Sequence, residues 1–516
     1  MASARGEQLG IQQLCTDQPW WRVPHLVKLN ILLFVSYLTS YVGGFDGSML
    51  NGVQTVTQWQ EYFDHPSGSI LSLMVNMQVI AADRFGRRHP ILLGSVLIIA
   101  GTLLQGCTQN MGMFLAGRFF IGLGGEFVAT AAPPLLGELA YPTHRAFTAV
   151  YNTTWYVGAI VAAWSTYGTF KMPNSWSWRI PSLLQAAVSI IQIAFIYFVP
   201  ESPRWLIANN QTTQATKILS EHHTGSEEPN ELVRLQVAEI TAAIEFERTC
   251  DSVSYLQFFQ TSGANPCPPL SKGNRHRLFI VVAIGFIIQW CGNQLISSYL
   301  ALVLIDTGIT NPETQNLING GLQIYNLVIA CGAATLVDRL GRRFLLRFLL
   351  LTSTIGMLIA FTIWTILAAR NQQTEDGDKG LAIGVMVMMF VFCAFYNLAM
   401  NPVPIAYILE VLPYTLRTKG LTAFNLAQYC SGIFNGFVNP IALEDLRWRY
   451  YIVFVCALVL WLVVIYFTFP ETRSLTLEEV SQIFDGRGVL ERTYDIKAEG
   501  LGQADHTEEV NAEHKA

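Results

Sequence analysis

Asp83-Arg-Phe-Gly-Arg-Arg88 and Asp338-Arg-Leu-Gly-Arg-Arg343 are two copies of one hexapeptide, and their recurrence decides the fold. Three further features repeat in the same order. Trp178-Arg179 returns as Trp448-Arg449 and Pro200-Glu201 as Pro470-Glu471, each 270 residues on. Glu138 and Arg145 return as Glu410 and Arg417, 272 residues on. Four features matched in order imply a duplicated unit.

Each hexapeptide lies between long apolar runs. Runs of about 20 residues, enough to span a bilayer as helices, fall near 27–49, 90–107, 112–136, 147–168 and 181–199. In the second half they fall near 277–303, 316–337, 344–369, 382–411, 420–441 and 448–469. A twelfth, 68–82, has only fifteen residues. Fifteen residues rise about 22 Å, against a hydrocarbon core of about 30 Å. The repeat counterpart, Leu317 to Val337, has 21. Either this second helix spans by borrowing 63–67 and thinning the bilayer, or a segment before Asp83 is missing; the second reading is preferred. The expected architecture is an all-α polytopic membrane protein of two six-helix bundles. Such repeats enclose a substrate site near the membrane midplane.

Composition agrees. Of 516 residues, 51% are apolar and 13% charged, about half the charge of a soluble protein, and the mean hydropathy is +0.35. The net charge of −5 comes with no basic patch interleaved with aromatics, so no nucleic-acid partner is expected. The nine cysteines form no CxxC pair, which supports neither a disulfide framework nor a metal site. No nucleophile–base set, cofactor motif or Walker A loop is present, so an enzyme and an ATP-driven pump are both disfavoured.

The positive-inside rule sets the orientation. Arg84, Arg87 and Arg88 share one loop, Arg339, Arg342, Arg343 and Arg347 another, and Arg417 and Lys419 a third. All three face the cytoplasm if the N-terminus does. The chain then divides into a cytoplasmic segment 1–26, bundles at 27–206 and 277–485, a cytoplasmic helical linker 207–276 and a charged tail 486–516. Within the linker, Pro229-Asn230-Glu231 opens an amphipathic stretch to about Arg248, expected to be helical. The repeated charges, Asp83, Arg87, Glu138, Arg145, Glu201 and Arg204 with Asp338, Arg342, Glu410, Arg417, Glu471 and Arg473, sit at cytoplasmic helix ends. They read as a latch that joins the halves on the inside and releases in the inward-open state. The bland alternative is positive-inside anchoring with helix-end pairing.

At these residues the chain resembles the sugar porter family of the major facilitator superfamily, over roughly 27–485. The motifs are Gly117-Arg118-xxx-Gly122-x-Gly124, Arg179-Ile-Pro181, Pro200-Glu-Ser-Pro-Arg204, Pro470-Glu-Thr-Arg473 and Glu410-Val-Leu-Pro413 with Arg417-x-Lys-Gly420. Within the family it looks most like the fungal lactose and cellodextrin permeases. That likeness rests on Gly44-Phe-Asp-Gly-Ser-Met-Leu-Asn51, Tyr151-Asn-Thr-Thr-Trp-Tyr-Val-Gly158, Gln289-Trp-Cys-Gly-Asn293 and Asn439-Pro-Ile-Ala442. The resemblance implies the major facilitator fold, sugar and proton as the small-molecule partners, a plasma-membrane location and a monomer.

Asp46 lies inside the first run, where an acid costs at least ~2.5–3.5 kcal/mol and marks a functional site by default. The resemblance makes it the proton carrier and Arg118 its alternating partner; a static ion pair is the plainer alternative. A sugar needs amides and hydroxyls. Asn152, Gln289, Asn326 and Gln428 sit within apolar runs and match sugar-binding positions of the family, with Asn293 and Gln294 adjacent candidates. For each, an interhelical hydrogen bond is the alternative. Of the aromatics Trp155, Tyr299 and Tyr429, only Tyr429 is retained as a sugar contact, being next to Gln428. The chain also departs from the hexose porters. Met400 precedes Pro402-Val-Pro404 where they carry tryptophan, and Ile288 replaces a glutamine before Gln289. Import of a disaccharide with a proton is the leading expectation; a hexose or polyol carrier and a non-transporting sugar sensor are the alternatives.

Overall fold

The structure is a computed structural model that describes residues 20–63, 87–142, 147–226, 228–250, 272–340, 346–373, 379–401, 403–412 and 417–470. The short second run at 68–82 and the tail lie outside these. The described residues form helices and no strand.

In the N-terminal half the helices are α1 (Pro24–Val53), the short α2 (Thr57–Tyr62), α3 (Arg88–Gly106), α4 (Met111–Leu139), α5 (Phe147–Thr169) and α6 (Trp176–Ile196). The linker carries α7 (Pro203–Ala208), α8 (Thr212–Leu219) and α9 (Glu231–Cys250). The C-terminal half contains α10 (Lys272–Trp290), α11 (Asn293–Asp306), α12 (Pro312–Leu340), α13 (Leu346–Gln373), α14 (Lys379–Ala399), α15 (Val403–Val411), α16 (Arg417–Leu446) and α17 (Trp448–Thr468). Local chemistry places several starts. Proline opens α1, where its missing N–H costs nothing, and Asn110 caps α4 by accepting from the Met113 N–H at 2.9 Å.

Among the described residues, eight segments are long and apolar enough to cross a membrane, by length and composition. The long helices α5, α12 and α16 fall short of that hydropathy because they carry polar side chains, as with Gln315, Asn316, Asn319, Gln323 and Asn326 along α12. Helix α12 packs against α5 across the two halves, and α11 packs against α1. The polar residues therefore lie where the halves meet, away from lipid.

Two runs that read as single helices are broken. The seventh span divides at Gly292, whose φ of +98° only glycine adopts without strain; a Cβ there would also stand 2.7 Å from the Phe361 ring. The tenth divides between Ala399 and Val403, at a Pro-x-Pro sequence that removes two backbone donors. Such interruptions are tolerated at membrane depth only where protein or a wet cavity satisfies the freed groups.

The linker folds on the N-terminal half. Leu206, Ile207, Ala215 and Ile244 form its own small core. His223 is held by Gln236 at 3.0 Å and by the Leu139 carbonyl of α4 at 3.2 Å, and Lys28 of α1 pairs with Glu221 at 2.7 Å.

Candidate functional site between the two halves

Helices α1 and α5 approach at backbone contact. A Cβ on Gly44 would lie 1.8 Å from the Trp155 carbonyl oxygen, and one on Gly158 would lie 2.0 Å from that of Tyr41. Small residues at such positions let membrane helices pack closely without a hydrophobic driving force. This contact fixes the C-terminal part of α1, and Asp46 projects from it.

Asp46 is 5% exposed and Arg118 of α4 is 3% exposed. Arg118 Nη1 donates to Asp46 Oδ1, and Gln185 Nε2 of α6 donates to the same oxygen at 2.9 Å. Three helices thus converge on one buried carboxylate. Burying the pair is tolerable because the cation and an amide replace its lost water. Gln185 was not singled out in the sequence; its position among apolar residues of the sixth run was the available signal.

Hydrogen bonds join the halves at two levels. At the end away from the linker, Asn51 Nδ2 donates to the Ser297 carbonyl at 2.6 Å and Asn316 Nδ2 to Thr55 Oγ1 at 2.7 Å. Lys171 pairs there with Glu313 at 2.7 Å. Deeper in, the Tyr156 hydroxyl donates to Asn397 Oδ1, and Asn397 Nδ2 donates to Asn326 Oδ1 at 3.1 Å. At the same level the Tyr429 hydroxyl donates to Glu126 Oε2 at 2.6 Å.

The sequence candidates fall around this seam. Asn326 is 7% exposed and engaged by Asn397. Gln289 and Gln428 are half-buried on the packed pair α10 and α16, and the Gln289 amide lies against Gly432 of α16. Asn293 and Gln294 begin the half-helix α11 beyond the Gly292 break, and Gln294 Oε1 is a buried acceptor without a donor. Tyr429 is committed to Glu126. Nothing is described of the Asn152 side chain. Glu126, Asn397 and Asn316 are present at the seam but absent from the sequence reading, and Asn51 and Tyr156, quoted there only within motifs, were given no role. Glu126 carried the same signal as Asp46, an acid inside an apolar run.

Of the repeated charges, Arg87 stands 3.8 Å from Glu138, Glu138 accepts from Ser202 Oγ, and Glu201 accepts from the Arg87 N–H at 3.0 Å. Arg204 adds an attractive charge near Glu138. These described contacts tie α3, α4 and the start of the linker within one half. Asp83, Arg145, Arg342, Glu471 and Arg473, and the side chains of Asp338 and Arg417, lie outside the described residues. No group of His, Cys, Asp and Glu among the described residues is arranged to hold a metal.

A family model for sugar (and other) transporters matches residues 32–484. The chain is 28% identical over 418 residues to the MFS-type transporter oryC of Aspergillus oryzae, covering 81% of this chain and 75% of that one. It is 24% identical over 487 residues to the high-affinity glucose transporter of Kluyveromyces lactis, covering 90% and 86%. Among solved structures, the inward-open xylose transporter XylE of E. coli superposes with a TM-score of 0.69 at 20% identity, covering 88% of this chain and 100% of that one. XylE bound to a deoxy-bromo-glucose, where it is described as a proton:xylose symporter, gives 0.66. With the family model spanning both halves, the chain belongs to the sugar transporter family of the major facilitator superfamily, a multi-pass membrane transporter and not an enzyme.

Proposed function

We propose that this chain is a proton-coupled symporter that imports a disaccharide of the lactose or cellobiose type across the plasma membrane by alternating access. The observation that carries it is the single oxygen of Asp46 held by Arg118 and Gln185. A carboxylate that shares its charge with a guanidinium can take a proton only when that partner swings away. Protonation is thereby linked to a change in helix position. Protonated Asp46 frees Arg118 and loosens α1 against α4 and α6; deprotonation restores the cluster. XylE, described as a proton:xylose symporter, shares the fold.

The sugar site is the seam between the halves, lined by the amides Asn326, Gln289, Gln428, Asn293 and Gln294. The buried Gln294 acceptor and the buried Asn319 donor suit the hydroxyl groups of an uncharged substrate, each of which both donates and accepts. Bonds such as Asn51 to Ser297 and Asn316 to Thr55 close the seam at the end away from the linker, the outer end by the positive-inside reading. Such bonds would part when the carrier opens outward. Met400 in place of a bulky tryptophan favours the larger substrate. The glucose transporter among the relatives favours a hexose instead, and the uptake experiment separates the two.

That experiment is uptake of labelled cellobiose, lactose and glucose in a transport-deficient yeast, with surface expression verified and external pH recorded. Disaccharide accumulation with alkalinisation, abolished by Asp46→Asn, is expected. Uptake of glucose alone transfers the assignment to a hexose carrier. A protein at the surface that moves no sugar defeats the transport reading for this chain.

A further inference from the structure

Glu126 has no role in the scheme above, although an acid in the middle of a spanning helix demands one. It is the sixteenth residue of α4, eight beyond Arg118, and so about 12 Å farther along the helix axis. Arg118 is engaged by Asp46. Among the described residues, the side-chain group hydrogen-bonded to the Glu126 carboxylate is the Tyr429 phenol of α16. The carboxylate is half-buried and the bond crosses from one half to the other. A carboxylate offers about four acceptor sites, and one phenol uses one of them.

We propose that Glu126 is a substrate-contacting, specificity-determining residue, and that a substrate hydroxyl displaces Tyr429 from it when the carrier loads. This inference rests on the sugar-transport reading. The chemistry is an exchange of like for like. In the free carrier the Tyr429 hydroxyl donates to Glu126. In the loaded carrier a substrate hydroxyl donates to Glu126 and accepts from Tyr429, so the substrate inserts itself into the bond that joins the halves. The charge-assisted bond to Glu126 is kept and the released Tyr429 hydroxyl adds a second bond, so the exchange favours polyhydroxylated substrates that place a hydroxyl at this point. It disfavours anionic sugars such as uronates and sugar phosphates.

The test is a cycle between variants at Glu126 and a series of monodeoxy analogues of the transported sugar, each competing for uptake. Glu126→Ala raises the KM for the parent sugar about tenfold or more with a smaller effect on the maximal rate, as expected for loss of a charge-assisted hydrogen bond. Glu126→Gln keeps the shape and one acceptor, and its effect is smaller. One deoxy analogue, lacking the contacting hydroxyl, binds the wild type and the alanine variant alike, whereas the others retain the full penalty. Equal penalties for every analogue, or an unchanged KM in both variants, overturn the proposal while leaving sugar transport intact. A surface-expressed wild type that moves no sugar overturns the transport reading, and this inference with it.

Discussion

The two halves of the molecule repeat one plan and differ in how they keep polar groups inside a membrane. In the described spanning helices of the C-terminal half, every Asp, Glu, Lys and Arg lies within the first or last six residues of its helix. The N-terminal half has three exceptions, Asp46, Arg118 and Glu126. Its polar interior is a charge cluster on unbroken helices. The C-terminal interior is neutral, with Asn326 and Asn397 bonded together, Tyr450 bonded to Asn439, and two spans interrupted at Gly292 and beyond Ala399. Charge responds to protons and needs a rigid frame to hold an ion pair. Amides and broken helices present directional bonds to an uncharged ligand. The two halves thus carry the same helical plan with charged side chains inside one and neutral amides inside the other.

The sharpest way to break this comparison is to remove one charge. Arg118→Leu leaves Asp46 buried without its cation, and the expected loss is about 3–5 kcal/mol. Thermal unfolding in detergent reads it. The double variant Asp46→Asn with Arg118→Leu recovers most of that stability but none of the proton movement. A double variant as unstable as the single one would show that Arg118 supports the half by packing, with no part for the pair.

A smaller effect is expected across the seam. Asn397→Ala removes a donor to Asn326 and an acceptor from Tyr156. The expected cost is about 1–3 kcal/mol, seen as a rise in KM for sugar with the pH dependence of uptake unchanged. A shift in pH dependence would place proton handling in both halves.

The smallest effect concerns the linker, whose described bonds go to the N-terminal half. Burial holds the His223 imidazole below its ordinary value, so the folded linker binds fewer protons than the unfolded one. Its stability then rises with pH and declines as pH falls through about 6.5, the unfolded value. Limited proteolysis of the linker is expected to quicken between pH 7.5 and 5.5, by a change of about 1 kcal/mol or less. His223→Gln, which keeps a hydrogen-bonding group and removes one of the two titrations, is expected to lose part of that pH dependence, the rest coming from His222, which burial also holds low.

Much was legible without coordinates. The repeated hexapeptide, the spacing of about 270 residues between matched features and the run lengths define the duplicated helical fold. They do so because bilayer thickness dictates helix length and a duplicated fold retains its marked ends. Asp46 was legible because charge in an apolar run is rare, and its pairing with Arg118 was what the family resemblance implied. The linker helix was legible from Asn230 onward, and it spans Glu231–Cys250.

Three things were decided only by tertiary structure. Gln185 joins Asp46 because α6 happens to face α1 and α4 at that depth, which no local pattern encodes. Tyr429 and Glu126, 303 residues apart, meet because the halves close on each other. The latch charges Arg87, Glu138 and Glu201 contact one another's elements within one half, because a charge at a helix end takes whichever partner the loop geometry brings nearest. Sequence carries what the bilayer imposes on each helix separately. Contacts between helices depend on rotation and depth, and those are settled only when all of them pack together.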